Sequence, residues 1–151
     1  MVLVRRLAPN DAALWRTLSL EAIANHPEAF MTPLDDESTI PITAYADAIA
    51  SGAHVFVAGN DEANAFLRVF GATGTIHGFY VRPAARRTGL ADALMHALKS
   101  AAREAGCRHI ALGVFRENDA AVALYQKHGF TRQSSEPFGQ RESWTMALPL
   151  D

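Results

Sequence analysis

The sequence predicts a single α/β domain with a mixed sheet, in which an antiparallel N-terminal meander continues into a parallel strand-helix-strand unit. Three observations predict it. First, the β-rich runs "AHVFVAG", "NAFLRVFG" and "TIHGFYV" are separated only by "NDE" and "ATG", turn chemistry that joins consecutive antiparallel strands. Second, Leu90, Ala93, Leu94, Ala97, Leu98 and Ala101 fall on one stripe of an amphipathic helix over residues 88–105, closed by Gly106. Third, "HIALGVF" follows that helix as an apolar run that reads as a strand buried on both faces, so it must lie parallel to the strand before the helix.

The remaining elements follow in order. "VLVRRL" reads as a short opening strand. "NDAALWRTLSLEAIANHPEAF" reads as a helix capped by Asn10 or Asp11, with Leu14, Leu18 and Ala22 on one face and Pro27 as its stop. Pro33 and "LDDES" suggest a loop or short helical turn, and "PITAYADAIASG" a helix with Pro41 near its start and Gly52 past its end. Pro83 removes a backbone donor just after Val81 and ends the third meander strand. "NDAAVALYQKHG" reads as a helix capped by Asn118 or Asp119, with Val122 and Tyr125 on one face and Gly129 at its end. "GFTRQ" and "SWTMALPL" close the chain as two strands joined by a polar loop, "SSEPFGQRE", long enough to reach a site.

The bulk properties bound the function. A chain of 151 residues fits one domain with a sizeable core, and 49% hydrophobic against 20% charged residues is the mixture of a folded globular protein. A net charge of −2 argues against a general nucleic-acid binder. No apolar run approaches the ~20 residues of a membrane helix, and the N-terminus is unlike a signal peptide, so a cytoplasmic protein with no membrane partner is expected. The single cysteine, Cys107, excludes an intrachain disulfide and reads as structural, and the six histidines show no metal-site spacing. Asp92 and His96, one helical turn apart, read as a solvated face.

One stretch departs from this ordinary background. "RPAARRTGLADALM" sets Arg82, Arg86 and Arg87 at the start of a helix, where the macrodipole is already positive. An anion between the arginines and the helix would remove the conflict. Gly89 lets backbone approach a ligand, the first-turn amides are free, and Arg86 to Ala91 can thus cradle a phosphate. The other reading of this segment is an exposed loop whose arginines serve solubility. It is neither a Walker A loop nor a triple-glycine dinucleotide fingerprint.

With these residues in view, "FYVRPAARRTGLADALMHAL" resembles the acetyl-CoA-binding segment of the GNAT family of N-acetyltransferases, whose pattern Arg/Gln-x-x-Gly-x-Gly/Ala is carried by Arg86, Gly89 and Ala91. "GVFRENDAAVALYQKHGF" is similar to the family's second signature, matched by Asn118, Tyr125, Gly129 and Phe130. The resemblance is strong over residues 74–131 and loose over the first 50.

The resemblance implies a GNAT-like domain over residues 1–151 in which two parallel strands splay apart around the pantetheine arm of acetyl-CoA. Phe79, Tyr80 and Val81 would supply the strand edge, while Arg86, Arg87, Thr88, Gly89, Leu90 and Ala91 would meet the pyrophosphate. Asn118 would contact the pantetheine arm, or serve as a plain helix cap, or both. The implied reaction is direct attack of a primary amine on the thioester. Tyr125 would act as general acid toward the departing thiol, its bland alternative being a packing aromatic. Many relatives carry a glutamate base on the strand before the cofactor loop, and His77 stands at the corresponding position, either as base or as a sheet histidine satisfied by its neighbours. The acceptor, a small-molecule or peptide amine, is expected against the first two helices and the polar loop, near Glu21, Phe30, Glu136 and Arg141. A homodimer accords with family habit. A silent acyl-CoA-binding module of the same fold and an unrelated nucleotide-binding domain are the alternatives.

Overall fold

The computed structural model describes residues 3–151, so Val2, the first residue of the expected opening strand, lies outside the described residues. Seven strands form one mixed sheet in the order β1-β2-β3-β4-β5-β7-β6: β1 Val4–Arg6, β2 His54–Ala58, β3 Ala63–Phe70, β4 Thr73–Val81, β5 His109–Phe115, β6 Thr131–Phe138 and β7 Arg141–Pro149. The helices are α1 Ala12–Asn25, α2 Leu34–Ser38, α3 Ile42–Ala50, α4 Leu90–Glu104 and α5 Asp119–Lys127. Neighbouring strands run antiparallel except β4 and β5, which pair in parallel on either side of α4.

Strand alternation sorts the core into two layers around this sheet. Ala63, Ala65 and Leu67 of β3 join Leu94, Met95 and Leu98 of α4 on one face, whereas Val55 and Val57 of β2 join Trp15 and Leu18 of α1 and Tyr45 of α3 on the other. The face of α1 is thus centred on Trp15, Leu18 and Ala22 rather than on Leu14. Trp15 stacks edge-on against Tyr45 at 5.0 Å and Phe66 at 5.1 Å.

Four expectations are corrected. The run after β5's helix partner is not buried on both faces: Ile110, Leu112 and Val114 are buried, but Gly113 is exposed because that side of β5 faces a cavity. Helix α4 starts at Leu90 instead of Thr88, since Arg87 (φ 64°) and Gly89 (φ 86°) adopt left-handed backbone that no helix continues through. The polar loop "SSEPFGQRE" is a tight hairpin in which β6 pairs with β7 from Thr131 to Phe138, although every β6 residue is exposed. Asp92 is no solvated bystander beside His96: it accepts from His128 Nε2 at 2.7 Å and from Lys127 Nζ at 3.0 Å, tying α4 to the end of α5.

Candidate functional site

The site begins where β4 and β5 part. Their parallel pairing covers only Thr73–Ile76 against His109–Leu112, after which β4 stays with β3 and β5 stays with β7. A bulge drives the parting. Phe66 pairs with His77 and Asn64 with Tyr80, so β4 carries an extra residue across the interval and bends there. Gly78 takes φ 62° in this bulge, and a Cβ added to it would stand 3.2 Å from the Phe66 ring. Only glycine meets both demands without strain.

Helix α4 supplies the second part. No side chain caps its first turn, so the amides after Gly89 stay available to a ligand at the positive end of the macrodipole. The arginines in front of it divide in role. Arg82 donates from Nε and Nη2 to Glu21, both at 2.9 Å, and Tyr80 Oη donates to the same carboxylate at 3.1 Å. Arg86 donates to the Val81 carbonyl at 3.2 Å and meets His26 Nε2 at 3.0 Å, while Arg87 makes no salt bridge among the described residues. Thr88 turns its hydroxyl onto the Ala85 carbonyl.

Two cavities follow from this arrangement. A groove of about 990 Å³ runs along Phe79, Tyr80 and Val81, past Arg86, Arg87, Gly89, Leu90 and Ala91 to the start of α5. A second cavity of about 330 Å³ occupies the gap between the splayed strands. Ala29, Phe30, Phe79, Asn118 and Ala121 line both, so the two meet. Asn118 caps α5 by accepting from the Ala121 amide at 3.3 Å, and it also lines both cavities. The long groove, uncapped amides and unpaired β4 edge fit an elongated phosphorylated ligand.

His77 and Tyr125 both line the smaller cavity. The His77 ring stacks on Phe66 at 5.1 Å, and burial, then the Arg68 charge, hold its pKa below the ordinary histidine value. It is therefore unprotonated at neutral pH. Tyr125, only 7% exposed, packs edge-on against Phe79 at 6.0 Å, and burial pushes its phenol up. It therefore keeps its proton across the neutral range.

The expected acceptor residues separate. Phe30 lines both cavities. Arg141 lines the groove, donates to the Glu28 carbonyl at 2.6 Å and to Glu117, and lies over the Phe115 ring at 3.4 Å. Glu21 lines neither cavity, because Arg82 holds it, and Glu136 is exposed on β6 away from both. Met31, Glu37 and Phe66 line the smaller cavity without having been singled out from the sequence. Only Phe66 sits in a regular element with a visible alternation. The segment 26–33 has no period to reveal which way it faces. Among the described residues no group of three or more His, Cys, Asp or Glu could hold a metal ion, and no helix is long and apolar enough to cross a membrane.

Comparison with known proteins accords with this geometry. The model of the acetyltransferase (GNAT) family matches residues 11–130. Mycothiol acetyltransferase of Renibacterium salmoninarum is 30% identical over 142 residues, a match covering 88% of this chain and 41% of that protein. The chain thus spans about two fifths of that relative's length. Aminoglycoside N(6')-acetyltransferase type 1 of Stenotrophomonas maltophilia is 28% identical over 137 residues, covering 84% of each. A GNAT-family acetyltransferase structure from Streptococcus pneumoniae shares the fold with a TM-score of 0.84 at 20% identity over the whole of both chains. A Salmonella typhimurium acetyltransferase solved with its cofactor acetyl-CoA shares it at 0.77 and 23% identity, covering 100% of this chain and 95% of that one.

Proposed function

The chain belongs to the acetyltransferase (GNAT) family, whose members use acetyl-CoA, and from that premise we propose that it transfers an acetyl group from acetyl-CoA to a primary amine by direct attack. The observation that carries this reading is the meeting of the two cavities at Phe79 and Asn118, with Tyr125 and His77 on the wall of the smaller one. The groove suits the cofactor, and the smaller cavity suits the acceptor.

When bound, acetyl-CoA supplies the activated acyl thioester. The first-turn amides of α4 and Arg87 would hold its pyrophosphate, and the edge of β4 at Phe79 to Val81, unpaired with β5, would hold its pantetheine arm. An alkylammonium with a pKa near ~10.4 costs roughly 4–5 kcal/mol to deprotonate at neutral pH. His77 takes that proton, directly or through water, because its imidazole is neutral there. As the C–N bond forms and the C–S bond breaks, the surplus proton of the nitrogen would go to the departing sulfur, toward which Tyr125 Oη would donate a hydrogen bond. A phenol raised by burial holds its proton more tightly than a thiol of ordinary pKa near ~8.5, so it stabilises the leaving group without losing the proton outright.

Calorimetric titration with acetyl-CoA, CoA, ATP and NAD, followed by thiol release with an amine panel, tests the proposal. Saturable binding of both CoA species and amine-dependent thiol release support it. Binding without turnover of any amine assigns the chain to a silent acyl-CoA-binding module, and binding of ATP or NAD with indifference to CoA overturns the site.

A further inference from the structure

The wall of the smaller cavity restricts what can enter it. Ile23, Phe30, Met31, Phe66, Ile76 and Val114 make it mainly apolar, and no lysine or arginine lines it. Its one carboxylate is Glu37, half-buried on α2 while Asp35 and Asp36 beside it are exposed. Among the described residues Arg16 makes no salt bridge to Glu37: its guanidinium donates to the Ile40 carbonyl at 3.0 Å and the Ser38 carbonyl at 2.9 Å and does not line the cavity. Glu37 and Ser19 stand near Tyr45, whose hydroxyl is buried without a hydrogen-bond partner among the described residues. Burial, then the Glu37 charge, push that phenol up to about 12, against the lowering effect of the nearby Arg16 charge.

A carboxylate on an apolar wall draws in a cation and repels an anion, and both effects strengthen as water is excluded. An acceptor carrying its own carboxylate would bring that anion to a wall where, among the described residues, no lysine or arginine stands and His77 is neutral. A sugar would lose the hydration of its hydroxyls against phenylalanine and isoleucine. At about 330 Å³ the cavity also lies at the lower end of small-molecule sites, roughly 300–1,000 Å³. We infer that the acceptor is a compact primary amine with an apolar body and no carboxylate, steered in as its ammonium by Glu37. This inference rests on the acetyl-transfer reading above.

Phenethylamine and phenylalanine differ only by the carboxylate, and kanamycin offers several amines on a polyol. With the full chain and acetyl-CoA, kcat/KM for phenethylamine should exceed that for the other two by on the order of 100-fold. Glu37→Gln should shrink the phenethylamine-to-phenylalanine ratio about tenfold, chiefly by raising KM for phenethylamine, and Glu37→Lys should shrink it further. Equal or better use of phenylalanine or kanamycin overturns the inference, as does a ratio unmoved in both variants, while acetyl transfer itself stands. Should acetyl-CoA bind and no amine react, the transfer reading fails instead, and calorimetry of each amine on the protein–CoA complex decides. Binding of phenethylamine with phenylalanine silent upholds the cavity's selection of an apolar amine without a carboxylate, and no binding of phenethylamine overturns it.

Discussion

Burial acts in opposite directions on the protons of Tyr125 and His77: it keeps the phenol protonated and the imidazole free. Tyr125→Phe removes the hydroxyl while leaving the ring against Phe79 and Phe130, so kcat should fall roughly 10²-fold with acetyl-CoA affinity unchanged, as single-turnover kinetics beside calorimetry would show. Undiminished turnover refutes the role. For His77, a pKa held below the usual ~6.5 puts the acid limb of kcat/KM below that pH. The limb should be absent from a pH profile of His77→Gln. Glu21 makes a different contribution, through the hydrogen bonds that join α1 to the end of β4. Arg82 first, then Tyr80, hold its carboxyl below the usual range, against the effect of burial. The stability this confers is present above the unfolded glutamate pKa and is lost as pH falls through the lower folded value. Glu21→Gln should cost about 1 kcal/mol at pH 7 in urea unfolding, with the difference from the parent closing toward pH 3.

At the scale of elements, the start of α4 is decided by backbone conformation. A β-branched side chain at Gly89 meets left-handed φ and crowds the amides, so Gly89→Val should raise the acetyl-CoA Kd at least about tenfold while far-UV circular dichroism stays near the parent's. An unchanged Kd would mean that phosphate binds elsewhere. Helix α4 was legible because its apolar spacing is long and regular and one face packs on the sheet. Strand β6 was legible only at its start, as "GFTRQ", and its second half reads as loop. All eight of its residues are exposed, so no alternation marks it, and it is a strand because β7 satisfies its backbone. The β4 bulge likewise left only Gly78 as a trace, since an extra residue shows itself through the pairing of Asn64 and Phe66 on another strand.

At the scale of the molecule, the groove is built from elements far apart in the chain, the end of β4 and the starts of α4 and α5, with the segment after α1 alongside. Ligand binding that spans them stabilises the fold as a whole. Acetyl-CoA at about 100 times its Kd should add roughly 2.7 kcal/mol and raise Tm by about 5–10 °C, CoA most of that, and ATP or NAD little. An Arg86→Ala/Arg87→Ala variant should lose most of the shift in a thermal melt. A shift equal to the parent's would show that the α4 amides alone hold the ligand.

By itself the sequence determined the periodic elements and the glycine-and-arginine segment before α4, because helix stripes, strand runs, Gly89 and its arginines act over a few residues of neighbouring chain. It also carried both family signatures. Only the tertiary structure decided which charges remain for a ligand. Arg82 goes to Glu21 across 61 positions of sequence, Arg141 to the Glu28 carbonyl across 113, and among the described residues Glu37 is the one carboxylate lining the smaller cavity. Side-chain pairing depends on what the fold brings within about 3 Å, and nothing in local spacing encodes that distance.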